Sequence, residues 1–188
     1  MRVRKAVVGL GNPGPRYERT RHNLGFLAVD RYLARSRRRG RPEALPSRTA
    51  QIYRVGDFLV AKPQTYMNRS GLAVLEIART HRLSPEEILI VYDDVMLPFG
   101  KLRARAQGGD GGHHGMASVI EALGTRQIPR LRLGIGRPDL PKDLTDYVLG
   151  AFTQEEEREL DAFLDRAAQA IEVFLEQDIE AVMNEFNA

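Results

Sequence analysis

The sequence predicts an α/β protein, a single domain built on a mixed central sheet flanked by helices. Three observations carry this. Val3–Leu10 is apolar and β-branched and stops at Gly11-Asn12-Pro13-Gly14, as a buried strand does on entering a sharp loop. Ile88–Tyr92 is an unbroken apolar run, the pattern of a central strand covered on both faces. Around these, segments with helical period interleave with further short strands.

The elements follow in order. Asn23 stands where it can cap a helix whose Leu24, Leu27, Ala28, Tyr32 and Leu33 share one face. Arg35–Pro46 is basic, contains two prolines and reads as an exposed loop. Ala50–Val55 and Phe58–Ala61 are short strands around Gly56-Asp57, a hairpin signal. Tyr66–His81 has the helical period, and Ser84-Pro85-Glu86-Glu87 has the form of a capping box over one short turn. Lys101–Ala106 alternates like a ribbon strand. Gly108–Gly112 reads as a flexible loop opening into a helix over Met116–Leu123. Leu131–Ile135 is a further strand, and Asp143–Leu149, Gln154–Gln177 and Ile179–Phe186 read as helices. No repeat or linker divides the chain. Residues 1–188 are therefore expected to form one domain with an acidic helical segment over 151–188.

The 188 residues are 43% hydrophobic and 28% charged, the balance of a soluble globular chain. The absence of Cys excludes disulfides, a thiolate nucleophile, Cys-ligated zinc and iron–sulfur clusters. No apolar run approaches the length of a membrane span. Met1–Lys5 resembles the basic start of a signal peptide, but the apolar stretch after it, Ala6–Leu10, is too short, so a cytoplasmic location is expected. Residues 1–150 hold 26 basic and 14 acidic side chains, a net +12. Residues 151–188 hold 2 and 11, a net −9. Arg outnumbers Lys 24 to 4. An Arg-rich basic body suits a polyanionic partner, most simply nucleic acid. A solvated surface is the alternative.

Gly9-Leu10-Gly11-Asn12-Pro13-Gly14 has the spacing of a dinucleotide-binding turn. Pro13 and Pro15 remove backbone donors from where a pyrophosphate needs them, so the segment reads better as a functional loop at a strand end. It continues to His22, beside the expected helix cap. The Ile88–Tyr92 strand ends in Asp93-Asp94, and a His and an Asp gathered at one sheet edge form a base and its orienting partner. The second Asp is read as turn or solvated. Asn68 sits where a strand gives way to a helix, as a cap or as a polar contact for substrate. His113 and His114 follow a glycine loop; adjacent His rarely ligate one ion together, so no metal is expected. Lys101, Arg103 and Arg105 fall on one face of a strand by alternation, as do Arg130 and Arg132. Such stripes suit phosphate, or protect a sheet edge. No Gly-x-Ser-x-Gly elbow is present. His as base, Asp as orienter and Asn amides as donors suit the attack of water on an acyl carbonyl.

Together these segments resemble the bacterial-type peptidyl-tRNA hydrolases. The matching residues are Gly9–Gly14 with Tyr17, Thr20–Asn23 and Gly25; Lys62-Pro63 with Thr65–Gly71; Asp93 with Leu97-Pro98 and Gly100; Gly111–His113 with Gly115; Arg130–Arg132 with Gly134–Gly136; and Tyr147–Gly150 with Phe152. The resemblance implies a monomeric, cofactor-free enzyme that hydrolyses the ester joining peptide to tRNA. It implies His22 as general base, Asp93 as its partner, and Asn12, Tyr17, Tyr66, Asn68 and His114 at the substrate. Asn12 and Asn68 would help exclude unblocked aminoacyl-tRNA. It implies Arg105 and Arg132 as a clamp on the tRNA 5′-phosphate, to which Arg103 and Lys101 are added from the stripe. The chain departs from the family pattern at Met96, where an acidic residue often follows the pair's first member at 94, and at His114, where the family usually has Asn. A non-catalytic RNA-binding protein on the same fold and a metal-dependent hydrolase are the rival expectations.

Overall fold

In the computed structural model, which describes residues 2–187 apart from the side chain of Arg39, strand β1 (Lys5–Gly9) is flanked by parallel neighbours on both sides. These are β4 (Phe58–Pro63) and β5 (Ile88–Pro98). The sequence expectations touching Met1, Ala188 and the Arg39 side chain lie outside the described residues. The other strands are β2 (Glu43–Leu45), β3 (Ala50–Val55), β6 (Leu102–Arg105) and β7 (Arg130–Gly136). They form one mixed sheet in the order β2-β3-β4-β1-β5-β7-β6. The pairs β2–β3, β3–β4 and β6–β7 are antiparallel, and β5–β7 is parallel. Strands β4, β1, β5 and β7 therefore all end along one edge, where open α/β sheets place their sites.

The helices are α1 (Leu24–Ser36), α2 (Ser70–His81), α3 (His114–Leu123), α4 (Leu144–Val148), α5 (Gln154–Glu176) and α6 (Ile179–Phe186). Strand alternation divides the core between the two sheet faces. Val7, Leu89, Val91, Leu131 and Leu133 pack with α1, α5 and α6. Val8, Ile88, Ile90 and Tyr92 pack with α2 and α3. Fully burying one such side chain is worth about 1.5–3 kcal/mol, so the continuous apolar strands follow from two-sided cover. No helix among the described residues is long and apolar enough to cross a membrane.

Several local expectations shift. The segment expected as a loop over 35–46 instead finishes α1, makes a 3-10 turn at Arg37–Arg39 and adds β2 at the sheet edge. Pairing with β3 overrides its weak strand propensity. Strand β5 runs past Tyr92 to Pro98, with a shift of register between Asp94 and Pro98. The irregular stretch lies so close to β7 that a Cβ on Gly134 would fall 2.1 Å from the Pro98 carbonyl oxygen. The glycine loop before α3 is bonded in place: Asp110 accepts from Gly112 N–H at 2.8 Å, and Arg130 donates to the Gly109 carbonyl at 2.6 Å. At the other sheet edge, Asn187 both donates to and accepts from the backbone of Ala104, covering the outer side of β6.

Helix α1 lies on β1 and β5 through Gly25. A Cβ there would fall 2.4 Å from the Val91 carbonyl oxygen and 2.6 Å from that of Leu10, both backbone atoms that cannot move aside alone. Gly25→Ala is expected to cost at least about 1–3 kcal/mol of stability through overpacking. Urea unfolding of the variant checks this; an unchanged midpoint and slope would show that the helix has room to lift.

Candidate active site

His22 sits in a 3-10 turn, Arg21–Asn23, just before α1, and both of its neighbours are buried. The Asn23 side chain does not cap α1. Its Oδ1 accepts the Asn12 N–H at 2.8 Å and its amide donates to the Asn12 carbonyl at 2.9 Å, so it behaves like a paired strand residue. This ties the turn to the loop after β1. On the other side, Arg21 makes a buried ion pair with Glu156 at 2.9 Å.

Asp93, at 2% exposure, stands on β5 between two imidazoles. Its Oδ2 lies 2.8 Å from His22 Nδ1 and its Oδ1 lies 2.9 Å from His113 Nε2. His113 Nδ1 accepts the Met116 N–H at 3.1 Å. A nitrogen that accepts carries no proton, so His113 is the neutral Nε2–H tautomer and donates to Asp93. His22 in turn presents Nδ1–H to Asp93, which leaves its Nε2 lone pair to act as a base. Burial alone would raise the Asp93 pKa. His22 and His113 outweigh it and hold the carboxyl well below its ordinary range. Burial alone would lower the His22 pKa, but attraction to Asp93 and the hydrogen bond to it raise it above 6.5.

A cleft of about 450 Å³ opens over this group. Asn12, His22, Asn68, Asp93, His113 and His114 line it, with an apolar wall from Met67, Met96, Leu144, Val148 and Leu149. Asn12 Oδ1 accepts the Met67 N–H at 2.7 Å, so the group that Asn12 can offer a ligand is its NH2. Tyr66, just before, has φ 64, a left-handed conformation that costs a non-Gly residue about 1–3 kcal/mol. It turns the chain so that Met67 N–H meets Asn12.

Of the residues singled out from sequence, the fold brings Asn12, His22, Asn68, Asp93 and His114 to one cleft. Tyr17 is half-buried and Tyr66 is 55% exposed, and neither belongs to the cleft lining. Lys101 is exposed just before β6, which carries Arg103 and Arg105 half-buried. Arg132 faces Arg103 across the β6–β7 ladder. The expectation for Asp94 changes: it is not solvated but pairs with Arg132 Nε at 2.6 Å, linking the arginine face to the cleft. Arg130 is 1% exposed and bonds the carbonyls of Ile128, Gly109 and Arg126. Sequence reasoning missed the contact of His113 with Asp93. Its one signal is position: the first polar residue after a glycine turn is a helix N-cap, and His113 caps α3. His22, Asp93 and His113 place their ligand atoms within 4.8 Å of one another, a set that could hold a divalent ion. An ion would have to displace both hydrogen bonds to Asp93.

The family model of peptidyl-tRNA hydrolase matches residues 6–188. The chain belongs to the peptidyl-tRNA hydrolase family. It is 48% identical over 183 residues to the peptidyl-tRNA hydrolase of Chloroflexus aurantiacus, covering 96% of this chain and 97% of that one. It is 45% identical over 188 residues to that of Sulfurihydrogenibium sp., covering 97% of each. The crystal structure of peptidyl-tRNA hydrolase from Acinetobacter baumannii superposes with a TM-score of 0.88 at 30% identity, covering all of this chain and 96% of that one. As a member of the peptidyl-tRNA hydrolase family this chain is an enzyme, and its mixed sheet is the family's fold.

The two opposing effects on His22 can be separated. In Asp93→Asn the carboxylate that raises the His22 pKa is gone and burial remains, so that pKa should fall below 6.5. NMR titration of the His22 ring measures this. A value unmoved by the substitution would mean that Asp93 does not govern His22.

Proposed function

We propose that this enzyme hydrolyses peptidyl-tRNA with His22 as general base and Asp93 as its orienting partner. The observation that carries the reading is the His22–Asp93–His113 arrangement. Because His113 is neutral and committed to Met116 N–H, of the two imidazoles bonded to Asp93 it is His22 that keeps a lone pair to accept a proton toward the cleft. His22 Nε2 takes a proton from water as the water oxygen bonds to the ester carbonyl carbon. The imidazolium is stabilised by Asp93. It returns the proton to the departing 3′ oxygen of the tRNA as the carbon–oxygen bond breaks, leaving a carboxylic acid and free tRNA. The Asn12 NH2 supplies a donor for the substrate's acyl part. Asn68 and His114 are read as partners of the peptide-like amide, as a free α-ammonium would need acceptors instead. Tyr17 and Tyr66 are read as contacts outside the cleft itself.

Arg105, Arg132, Arg103 and Lys101 are proposed to hold tRNA phosphate. Arg103 Nε is buried without a protein partner among the described residues, as a group awaiting an anion would be. No cofactor or metal enters this mechanism, and the enzyme is read as a monomeric single domain acting in the cytoplasm. The rival, RNA binding without turnover, is an outcome of the same test.

His22→Ala should lose about 10²–10⁴-fold in the rate of release of N-acetyl-amino acid from N-acetyl-aminoacyl-tRNA, with tRNA binding largely kept. EDTA should leave the wild-type rate unchanged. Near-normal turnover by the variant removes His22 from its role, and loss of activity with EDTA favours a metal on the same three residues. Arg105→Ala should weaken binding of 5′-phosphorylated tRNA more than of dephosphorylated tRNA, and binding of both should weaken as salt rises. Equal losses on the two tRNAs would make Arg105 general surface charge.

A further inference from the structure

Arg21 precedes the proposed base and is 5% exposed. Each of its guanidinium nitrogens has a protein acceptor. Nε and Nη2 donate to Glu156 Oε1 at 3.1 and 2.9 Å, and Nη1 donates to the Tyr147 carbonyl at 2.9 Å. The same group lies 4.1 Å from the centre of the Tyr147 ring, which Arg137 approaches at 4.9 Å. The backbone joins in: Arg21 N–H donates to the Gly150 carbonyl at 3.1 Å, and Thr20 bridges to Ala151. Gly150 is held small by this contact, since a Cβ there would fall 3.0 Å from Arg21 Nη1. Glu156 is itself fixed by the capping box of α5, in which its Oε1 accepts Thr153 N–H at 2.9 Å.

This is a large polar investment for a residue outside the cleft. Burying a guanidinium and a carboxylate is costly even when they are paired, and apolar replacements are often as stable. What the pair secures is geometry. It fastens the His22 turn to the α4–α5 junction, the segment whose Leu144, Val148 and Leu149 wall the cleft. Asn23 fastens the turn's other end to Asn12. We infer that Arg21 and Glu156 are a positioning pair for the reaction, setting His22 against Asp93 and the cleft wall at once. This rests on the reading of His22 as the base. An Arg is needed because its fork reaches a carboxylate and a carbonyl together, which an ammonium cannot do in the same geometry.

The test separates positioning from stability. Arg21→Lys retains a cation for Glu156 and should lower kcat by about 10- to 100-fold, the scale of a misplaced reacting group, with KM within about twofold because substrate contacts are untouched. Arg21→Met leaves Glu156 charged and unpaired and should melt well below wild type. Adding Glu156→Gln removes the buried charge while keeping the capping box, so the double variant should regain melting temperature. Its kcat should stay as low as that of Arg21→Lys. The His22 ring, faced by Asp93 and by neutral His113 and near Asp94 and His114 across the cleft, should titrate lower in both as its contact with Asp93 loosens. Wild-type kcat in Arg21→Lys, or kcat recovering together with stability in the double variant, overturns the inference. His22→Ala is run alongside: if it remains active, the reading of His22 fails, whereas an inactive His22→Ala beside a fully active Arg21→Lys fails the inference alone.

Discussion

A carboxylate taken out of water must be met by donors or it takes up a proton. Asp93 is met by two, one on each oxygen, and they arrive from two separate loops. His22 comes from the turn after β1, His113 from the loop before α3. Each must in turn be held. His113 is held through Met116 N–H at the start of α3, and His22 through neighbours committed to Asn12 and Glu156. The glycine loop before α3 is pinned by Asp110 and Arg130 so that His113 can reach inward. Much of the polar bonding at this sheet edge therefore traces back to one buried carboxylate and the need to keep it ionised.

The uneven charge of the chain acquires a structural meaning. The acidic segment is helical, and four of its charges pair with the body. Glu156 and Glu157 pair with Arg21 and Arg19, and Asp161 and Asp165 pair with Arg31. Exposed members of this set contribute little, about 0–1 kcal/mol each, while the buried Arg21–Glu156 pair is a matter of geometry. Arginines on the α1–α5 side are neutralised by helix α5. On β6 and β7, Arg132 pairs with Asp94, and Arg103 Nε has no partner among the described residues.

Wherever one residue's chemistry decides its local conformation, the sequence could be read directly. The apolar run of β5, the Gly56-Asp57 hairpin between β3 and β4, the capping box at Ser84 and the alternation of β6 all follow from short-range rules, and they stand as expected apart from their ends. Asn12, His22, Asn68 and Asp93 stood out in the sequence because they lie at strand ends or turn boundaries, where open α/β sheets place their sites. Asn23 shows the limit. A helix cap is its local preference, yet a long-range pair of bonds to Asn12 outweighs it.

Pairing across distance is what only the tertiary structure decided. That Asp93 and not Asp94 meets His22 depends on strand alternation together with the α1 approach through Gly25, while the other face of β5 turns Asp94 to Arg132. That Arg130 is a buried strut and Arg132 is not, although both lie on one strand face, depends on where the glycine loop passes. The 3-10 turn and edge strand after α1 exist because β3 offered an open ladder. The sequence by itself determined the fold class, the strand-end loops and the residue types available for chemistry, because these rest on periodicity and local conformational preference. Their partners rest on contacts between separate elements, such as His22 with Asp93 and Arg21 with Glu156, and no local pattern encodes which two donors a buried carboxylate will find.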